Sequence, residues 1–174
     1  TKIDIEMSFP TEEDVMEVVE PMLADVFAAA GIVCETPFPR LTYAESMEMY
    51  GTDRPDLRFG LTLTGLDGAA AGTGFAPFDT ALSGGGTVRG LRVPGGASLS
   101  RKQLDTLGEE AKQHGAPALL WIKRSAGEIS SPAKKHIEPA AMEKILSAAG
   151  LEEGDLLLIV AASVRVLAIA YSRR

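Results

Sequence analysis

At 174 residues the chain has room for one medium domain, or for one small domain with part of another. Its 45% hydrophobic and 24% charged residues are those of a water-soluble globular protein. The net charge of −7 excludes a chain given over as a whole to nucleic-acid binding, which rests on an excess of Lys and Arg. Cys34 is the single cysteine, so an internal disulfide and a cysteine-based zinc site are excluded, and His114 and His136 lack metal-ligand spacing.

The first residues alternate, with Ile3, Ile5 and Met7 against Asp4, Glu6 and Ser8, and this period of two predicts a strand over 3–9. Thr11 then caps a helix whose acidic first turn (Glu12, Glu13, Asp14) suits the positive end of the helix dipole. Val15, Val18, Val19, Met22, Val26, Phe27 and Ala30 form its apolar stripe, and Gly31 ends it. Pro21 removes one backbone bond within that stripe and is expected to kink the helix. Thr42-Tyr43-Ala44-Glu45 is a capping box for a second helix reaching Tyr50.

Tyr50-Gly51-Thr52-Asp53-Arg54-Pro55-Asp56-Leu57-Arg58 follows. Gly51 stops the helix, Pro55 cannot continue one, and four of the nine residues are charged. The stretch reads as a rigid, polar joint between two folded parts. Charge changes across it: 13 acidic and 4 basic residues up to Arg58, net −9, against 11 acidic and 13 basic beyond, net +2. Between Arg89 and Lys135 the net charge is +5.

Beyond the joint, Gly- and Ala-rich residues 65–74 lead to a predicted strand over 75–82 and a Ser83-Gly84-Gly85-Gly86 turn. Val88 to Val93 alternates as a strand, and Pro94-Gly95-Gly96 turns the chain into a helix. Ser100 and Gln103 make that helix's capping box, with Leu99 and Leu104 at the hydrophobic-staple positions. Leu104, Leu107 and Ala111 are its buried stripe, and Gly115 closes it. A strand from Ala118 to Lys123, a polar loop, a helix from Pro139 to Ala149, and a buried strand from Leu156 to Ala161 come next. Ser163 is placed to cap a terminal helix. The order ββαβαβα predicts a two-layer α/β unit. The apolar run from Leu156 to Tyr171 is broken by Ser163 and Arg165 and falls short of the roughly 18–20 residues that span a bilayer.

Asp4 and Glu6 are the first candidates for a site. At i and i+2 of a strand their carboxylates project from one face and suit an ammonium group or a lysine, while the plain alternative is the solvent face of an edge strand. The two Gly-rich turns have neither of the spacings that cradle phosphates and read as turns. Arg89, Arg92, Arg101, Lys102, Lys123, Arg124, Lys134 and Lys135 are either a solvated surface or a weak, sequence-independent contact to an RNA backbone. Cys34 has no histidine in a recognisable partner motif and reads as an inert thiol.

With Phe38-Pro39-Arg40-Leu41-Thr42-Tyr43-Ala44-Glu45 before it, the joint resembles the segment that enters the insertion domain of bacterial aspartyl-tRNA synthetases, which are class II enzymes. Thr1-Lys2-Ile3-Asp4-Ile5-Glu6-Met7-Ser8-Phe9 is similar to the closing strand of their second signature motif, although Lys2 stands where that family usually carries Gln. Leu91-Arg92-Val93-Pro94-Gly95-Gly96-Ala97-Ser98-Leu99-Ser100-Arg101-Lys102-Gln103-Leu104-Asp105 resembles the core of the GAD domain, the inserted module that these synthetases share with tRNA-dependent amidotransferases. Gly154-Asp155-Leu156-Leu157-Leu158 carries the likeness further, whereas Ser131 to His136 and Tyr171 to Arg174 depart from the usual pattern.

The resemblance implies an α+β chain: a partial class II antiparallel-sheet catalytic segment with linker over 1–58, then a two-layer α/β GAD insertion domain over 59–174. It implies that Asp4 helps to hold the amino group of substrate L-aspartate, with Glu6 beside it in support. It also implies that Arg92, Arg101 and Lys102 lie near the tRNA acceptor arm. The parent would be a cytoplasmic, homodimeric aspartate--tRNA ligase that uses ATP and Mg²⁺ and charges tRNA(Asp), with tRNA(Asn) left open. The arginines that grip ATP, the Mg²⁺ ligands, a lysine-bearing loop and the anticodon-binding barrel would lie outside this segment. No catalytic residue or metal ligand is therefore expected within it, and the segment alone is expected to be inactive and to hold neither ATP nor Mg²⁺. The absence of an initiating Met, and an opening inside a strand, point to a piece of a longer protein. The alternative is a free-standing GAD-type module for RNA or protein interaction, with residues 1–50 as a docking helix.

Overall fold

The structure is a computed structural model and describes residues 2–163. The chain divides into two compact units, Thr1–Leu41 and Thr42–Arg174.

In the first unit, helix α1 (Glu12–Ala29) starts at Thr11, whose hydroxyl accepts from the Asp14 backbone N–H at 3.3 Å. The Asp14 carboxylate accepts in return from the Thr11 N–H at 2.8 Å, so two of the donors left over at a helix start are satisfied. The helix runs unbroken across Pro21. The following segment is fastened back onto it by Arg40, whose guanidinium grips Glu13 at 2.6 and 3.0 Å, and by the Phe38 N–H, which donates to Glu20 at 3.1 Å. The strand expected over 3–9 is not formed: residues 2–7 have no regular secondary structure and their side chains are exposed. A strand exists by virtue of its ladder, and among the described residues no neighbour pairs with this one.

The second unit opens with α2 (Tyr43–Tyr50), capped by Thr42 and Glu45 and closed by left-handed Gly51. The hydroxyl of buried Ser46 donates to the Thr52 carbonyl at 2.7 Å and folds the start of the joint back onto the helix. The sheet comprises β1 (Leu63–Gly65), β2 (Thr87–Val93), β3 (Leu120–Ser125), β4 (Glu128–Ser130) and β5 (Leu156–Ala162), in the order β1-β2-β5-β3-β4 with every pairing antiparallel. Central β5 has neighbours on both sides and on both faces, which explains its almost unbroken apolar run.

Helices α3 (Asp67–Ala70), α4 (Ala76–Ser83) and α6 (Pro139–Ala148) cover one face of the sheet. Leu66, Phe78, Val88, Ile122, Ile145 and Leu157 form the heart of that core, each essentially without solvent contact. The other face carries a smaller cluster, in which Val160 and Ala162 meet Ala116, Leu119 and Ala111 of α5 (Arg101–Gln113). Asp67 ties the helix layer to the sheet by accepting from the Thr87 hydroxyl at 2.7 Å and the Val88 N–H at 2.6 Å.

Residues 75–82, expected as a strand, instead form α4 from Ala76 onward, with Phe75 as its N-cap. Phe75, Phe78 and Leu82 recur at helical spacing on the core side, the two rings meet edge to face at 4.9 Å, and Pro77 occupies the first turn. Within the expected polar loop a hairpin joins β3 to β4 through Ala126 and Gly127, both with positive φ (53° and 73°), as a two-residue turn requires. The expected helix after Ser163 lies outside the described residues.

Candidate functional site

Asp4 and Glu6 belong to the first unit and are exposed. Asp4 pairs with Lys2 at 2.8 Å, an exposed contact that contributes little to stability. Both carboxylates are thus available to a ligand, on a segment that has no sheet partner among the described residues.

The basic residues of the second unit divide between two faces. Arg92 on β2 stands opposite Leu157 on the core side, and Trp121 on β3 stands opposite Leu158 on the other. Arg101, at the first turn of α5, lies over the Trp121 ring at 5.4 Å from its centroid and also pairs with Asp105 at 2.9 Å. Lys102 beside it is exposed. Lys123 lies over the same ring at 5.9 Å and donates its ammonium to the Leu99 carbonyl. Arg101 and Lys102 therefore share one helix start, and Arg92 is not brought to them.

Arg92 instead serves a buried acid. Asp155 is only 4% exposed, accepts from Arg92 Nε at 2.5 Å, and accepts from the backbone N–H groups of Gly95 and Glu152 at 3.1 Å each. Burial alone would push this carboxyl up, but the three donors together outweigh it and hold the group below its ordinary value. The Arg92 guanidinium also reaches Glu152 at 2.9 Å, and its own proton affinity is raised by Asp155 and Glu152. Sequence reasoning did not find Asp155 as a partner, because 63 residues separate it from Arg92.

This network accounts for the Pro94-Gly95-Gly96 turn. Gly95 has φ 70°, the left-handed conformation that turns its N–H onto Asp155. Gly96 is buried, and a Cβ there would lie 2.8 Å from Leu156 Cβ and 3.0 Å from Val93 Cγ1. The corner then closes through Ala97 N–H to the Gly154 carbonyl at 3.0 Å, which sets the approach to the capping box of α5.

The joint has its own geometry. With α2 and the β1–β2 edge it encloses a cleft of about 580 Å³, lined among others by Tyr50, Arg54, Asp56, Phe59, Leu63 and Leu91. Arg58 grips Asp56 with Nε at 2.8 Å and with a second guanidinium nitrogen, and holds its carboxyl at about 2. Glu48 on α2 meets Arg89 on β2 at 3.4 Å. Among the described residues no three His, Cys, Asp or Glu side chains gather as metal ligands, and no helix is long and apolar enough to cross a membrane.

Among the described residues a five-stranded antiparallel sheet, with a helix layer on one face and a glycine-built corner clamped by a buried carboxylate, defines a small α+β domain. Residues 78–170 match the model of the GAD domain, more than half of the chain. The chain belongs to the GAD domain family.

Relatives extend the likeness beyond that region. The chain is 51% identical over 162 residues to the Aspartate--tRNA(Asp/Asn) ligase of Thermoanaerobacter sp. (strain X514), covering 92% of this chain and 27% of that protein. It is 43% identical over 169 residues to the protein of the same name from Syntrophomonas wolfei subsp. wolfei, covering 97% of this chain and 29% of that one. With the protein of that name from Chlamydia trachomatis serovar D it is 44% identical over 162 residues, covering 93% and 28%. The chain thus spans little more than a quarter of the length of the curated relatives it matches.

Proposed function

We propose that this chain is part of an aspartate--tRNA ligase, with residues 1–58 contributing catalytic domain and linker and residues 59–174 forming the insertion domain. One observation carries the reading: the 162-residue alignment at 51% identity is far longer than the GAD match, and so takes in the acidic first third of the chain as well. A free-standing GAD module would have no need of ligase-like sequence there.

On this reading the whole protein adenylates L-aspartate with ATP and Mg²⁺, then transfers the aspartyl group to tRNA(Asp), and to tRNA(Asn) where the relatives' name extends to it. It is a cytoplasmic homodimer, and the residues that grip ATP and Mg²⁺ lie in other segments. Catalysis there rests on positioning and on charge stabilisation of the transferring group. This chain's share is the amino group of aspartate: Asp4 receives it, and Glu6 supports the arrangement. Both carboxylates are exposed in the described structure and so accessible to a ligand. Arg101 and Lys102 belong to the insertion domain on the side of the tRNA acceptor arm. Arg92 contributes indirectly, by holding the corner from which α5 starts.

The test is a chimera in which this chain replaces its counterpart in the Thermoanaerobacter ligase. Charging of tRNA with aspartate should be retained. Asp4→Ala in that chimera should raise KM for aspartate by roughly 10- to 100-fold, the loss of one charge-assisted contact. A folded chimera with no charging activity, or an Asp4→Ala variant with unchanged KM, would sink the proposal.

A further inference from the structure

Beyond the joint the aromatic side chains go to two places. Phe75 and Phe78 meet each other in the core, on the face that α3, α4 and α6 cover. Trp121, the single tryptophan of the chain, is on the other face of the sheet, opposite Leu158 on β5. It is only half-buried, and the small apolar cluster of that face, built on Ala116, Val160 and Ala162, does not include it. Two cations lie over its ring instead, Arg101 at 5.4 Å and Lys123 at 5.9 Å from the centroid. They are held differently. The Lys123 ammonium donates to the Leu99 carbonyl, which pins the residue before the N-cap of α5 beside the ring. The Arg101 side chain is 67% exposed and has a second partner in Asp105 at 2.9 Å, so it can leave the ring at little cost.

We propose that Trp121 is a stacking platform for an unpaired RNA base, which displaces Arg101 from the ring and leaves Lys123 in place. This rests on the reading that Arg101 and Lys102 face RNA, and it adds to that reading a named contact and the kind of nucleotide that makes it. Stacking on an aromatic side chain holds single-stranded nucleic acid without a sequence requirement, since every base has a π-face. Cations around such a platform supply the phosphate contacts that keep the strand over it. Here Arg101, Lys102 and Lys123 stand against the one carboxylate of Asp105, which leaves this corner of the domain positive. A base stacked within a duplex has no free face to offer, so the ligand is an unpaired nucleotide and not the stem itself. The base takes the place of a guanidinium that keeps Asp105 as its partner, so no charge is left stranded.

Because Trp121 is the only tryptophan, its emission reports on this one site in the unaltered 174-residue chain. The probes are a blunt-ended acceptor-stem RNA duplex and the same duplex with a few unpaired nucleotides on its 3′ side. The extended RNA should quench the Trp121 emission and bind about 10-fold tighter than the blunt one, which should leave the emission unchanged. Trp121→Leu should bring the extended RNA down to the affinity of the blunt one without changing the latter. Trp121→Phe keeps an aromatic face and should retain most of the preference. The wild-type emission decides the matter even if a variant fails to fold. The proposal is overturned if the two RNAs bind wild type alike, if the extended RNA leaves the emission unmoved, or if folded Trp121→Leu keeps the preference. Equal binding of both RNAs that still drops in Arg101→Ala/Lys102→Ala would overturn the stacking alone and leave the RNA-facing reading standing. No binding of either RNA would remove both.

Discussion

Asp155 shows how much one buried carboxylate organises. It joins Arg92 on β2 and the Gly95 turn, 63 and 60 residues away in the chain, to the Glu152 N–H of its own loop. Asp155→Asn removes the charge while keeping the shape, and should destabilise the second unit by roughly 2–3 kcal/mol, below the full cost of breaking a wholly buried pair because Arg92 is partly solvated. The folded carboxyl sits below its unfolded value, so its stabilisation is complete above the unfolded value of about 3.9 and fades as the pH falls through the folded one. Urea unfolding followed from neutral to acid pH should therefore show wild type losing its advantage over Asp155→Asn in the acid range. Asp56, held at about 2 by Arg58, has the same sign, but Arg58 is 84% exposed and the pair adds little. At this scale the sequence was legible for the glycines and silent about their partner. The Pro-Gly-Gly turn is a local signal; the acid that fills it is not.

Helices with strong starts were legible as elements. Thr11, Thr42 and Ser100 each cap the helix that follows, the latter two by the spacing to Glu45 and Gln103 that the sequence displays, and Asp14 completes the same box at Thr11, because a capping box closes within four residues. Elements that depend on neighbours were not. Residues 3–9 have a strand's alternation without a strand's partner, and 75–82 read as a strand until the sheet beneath them shows Phe75, Phe78 and Leu82 at helical spacing. The hairpin turn at Ala126 and Gly127 lacks the usual Asn-Gly signature. The start of α5 is where an RNA contact can be tested by itself. If Arg101 and Lys102 touch the acceptor arm, an Arg101→Ala/Lys102→Ala variant should weaken binding of an acceptor-stem RNA. It should also reduce the salt dependence of binding by roughly one unit of slope per cation removed. An unchanged affinity and slope, measured by fluorescence anisotropy, would return these residues to the role of solvated surface. The Arg101–Trp121 stack is a reason to measure folding stability alongside.

For the molecule as a whole, the 174-residue chain alone should give no ATP–pyrophosphate exchange with aspartate, because the groups proposed to bind ATP and Mg²⁺ belong to other segments. Measurable exchange would refute that account. The joint from Tyr50 to Arg58 was expected to separate two folded parts, and the compact units divide earlier, at Leu41 and Thr42, so the joint belongs with α2 and the β1–β2 edge around a cleft. The sequence by itself determined what is local or compositional: the helix caps, the Pro-Gly-Gly corner, the apolar central strand, the shift from acidic to mildly basic, and the resemblance borne by continuous motifs. Only the tertiary structure decided which strands found partners, that Arg92 answers to Asp155 and not to Arg101, and that no residue of α1 is fully buried. Caps and turns are closed by residues a few positions apart, whereas ladders, buried ion pairs and cores are closed by residues dozens of positions apart, and a one-dimensional pattern does not record which of those meet.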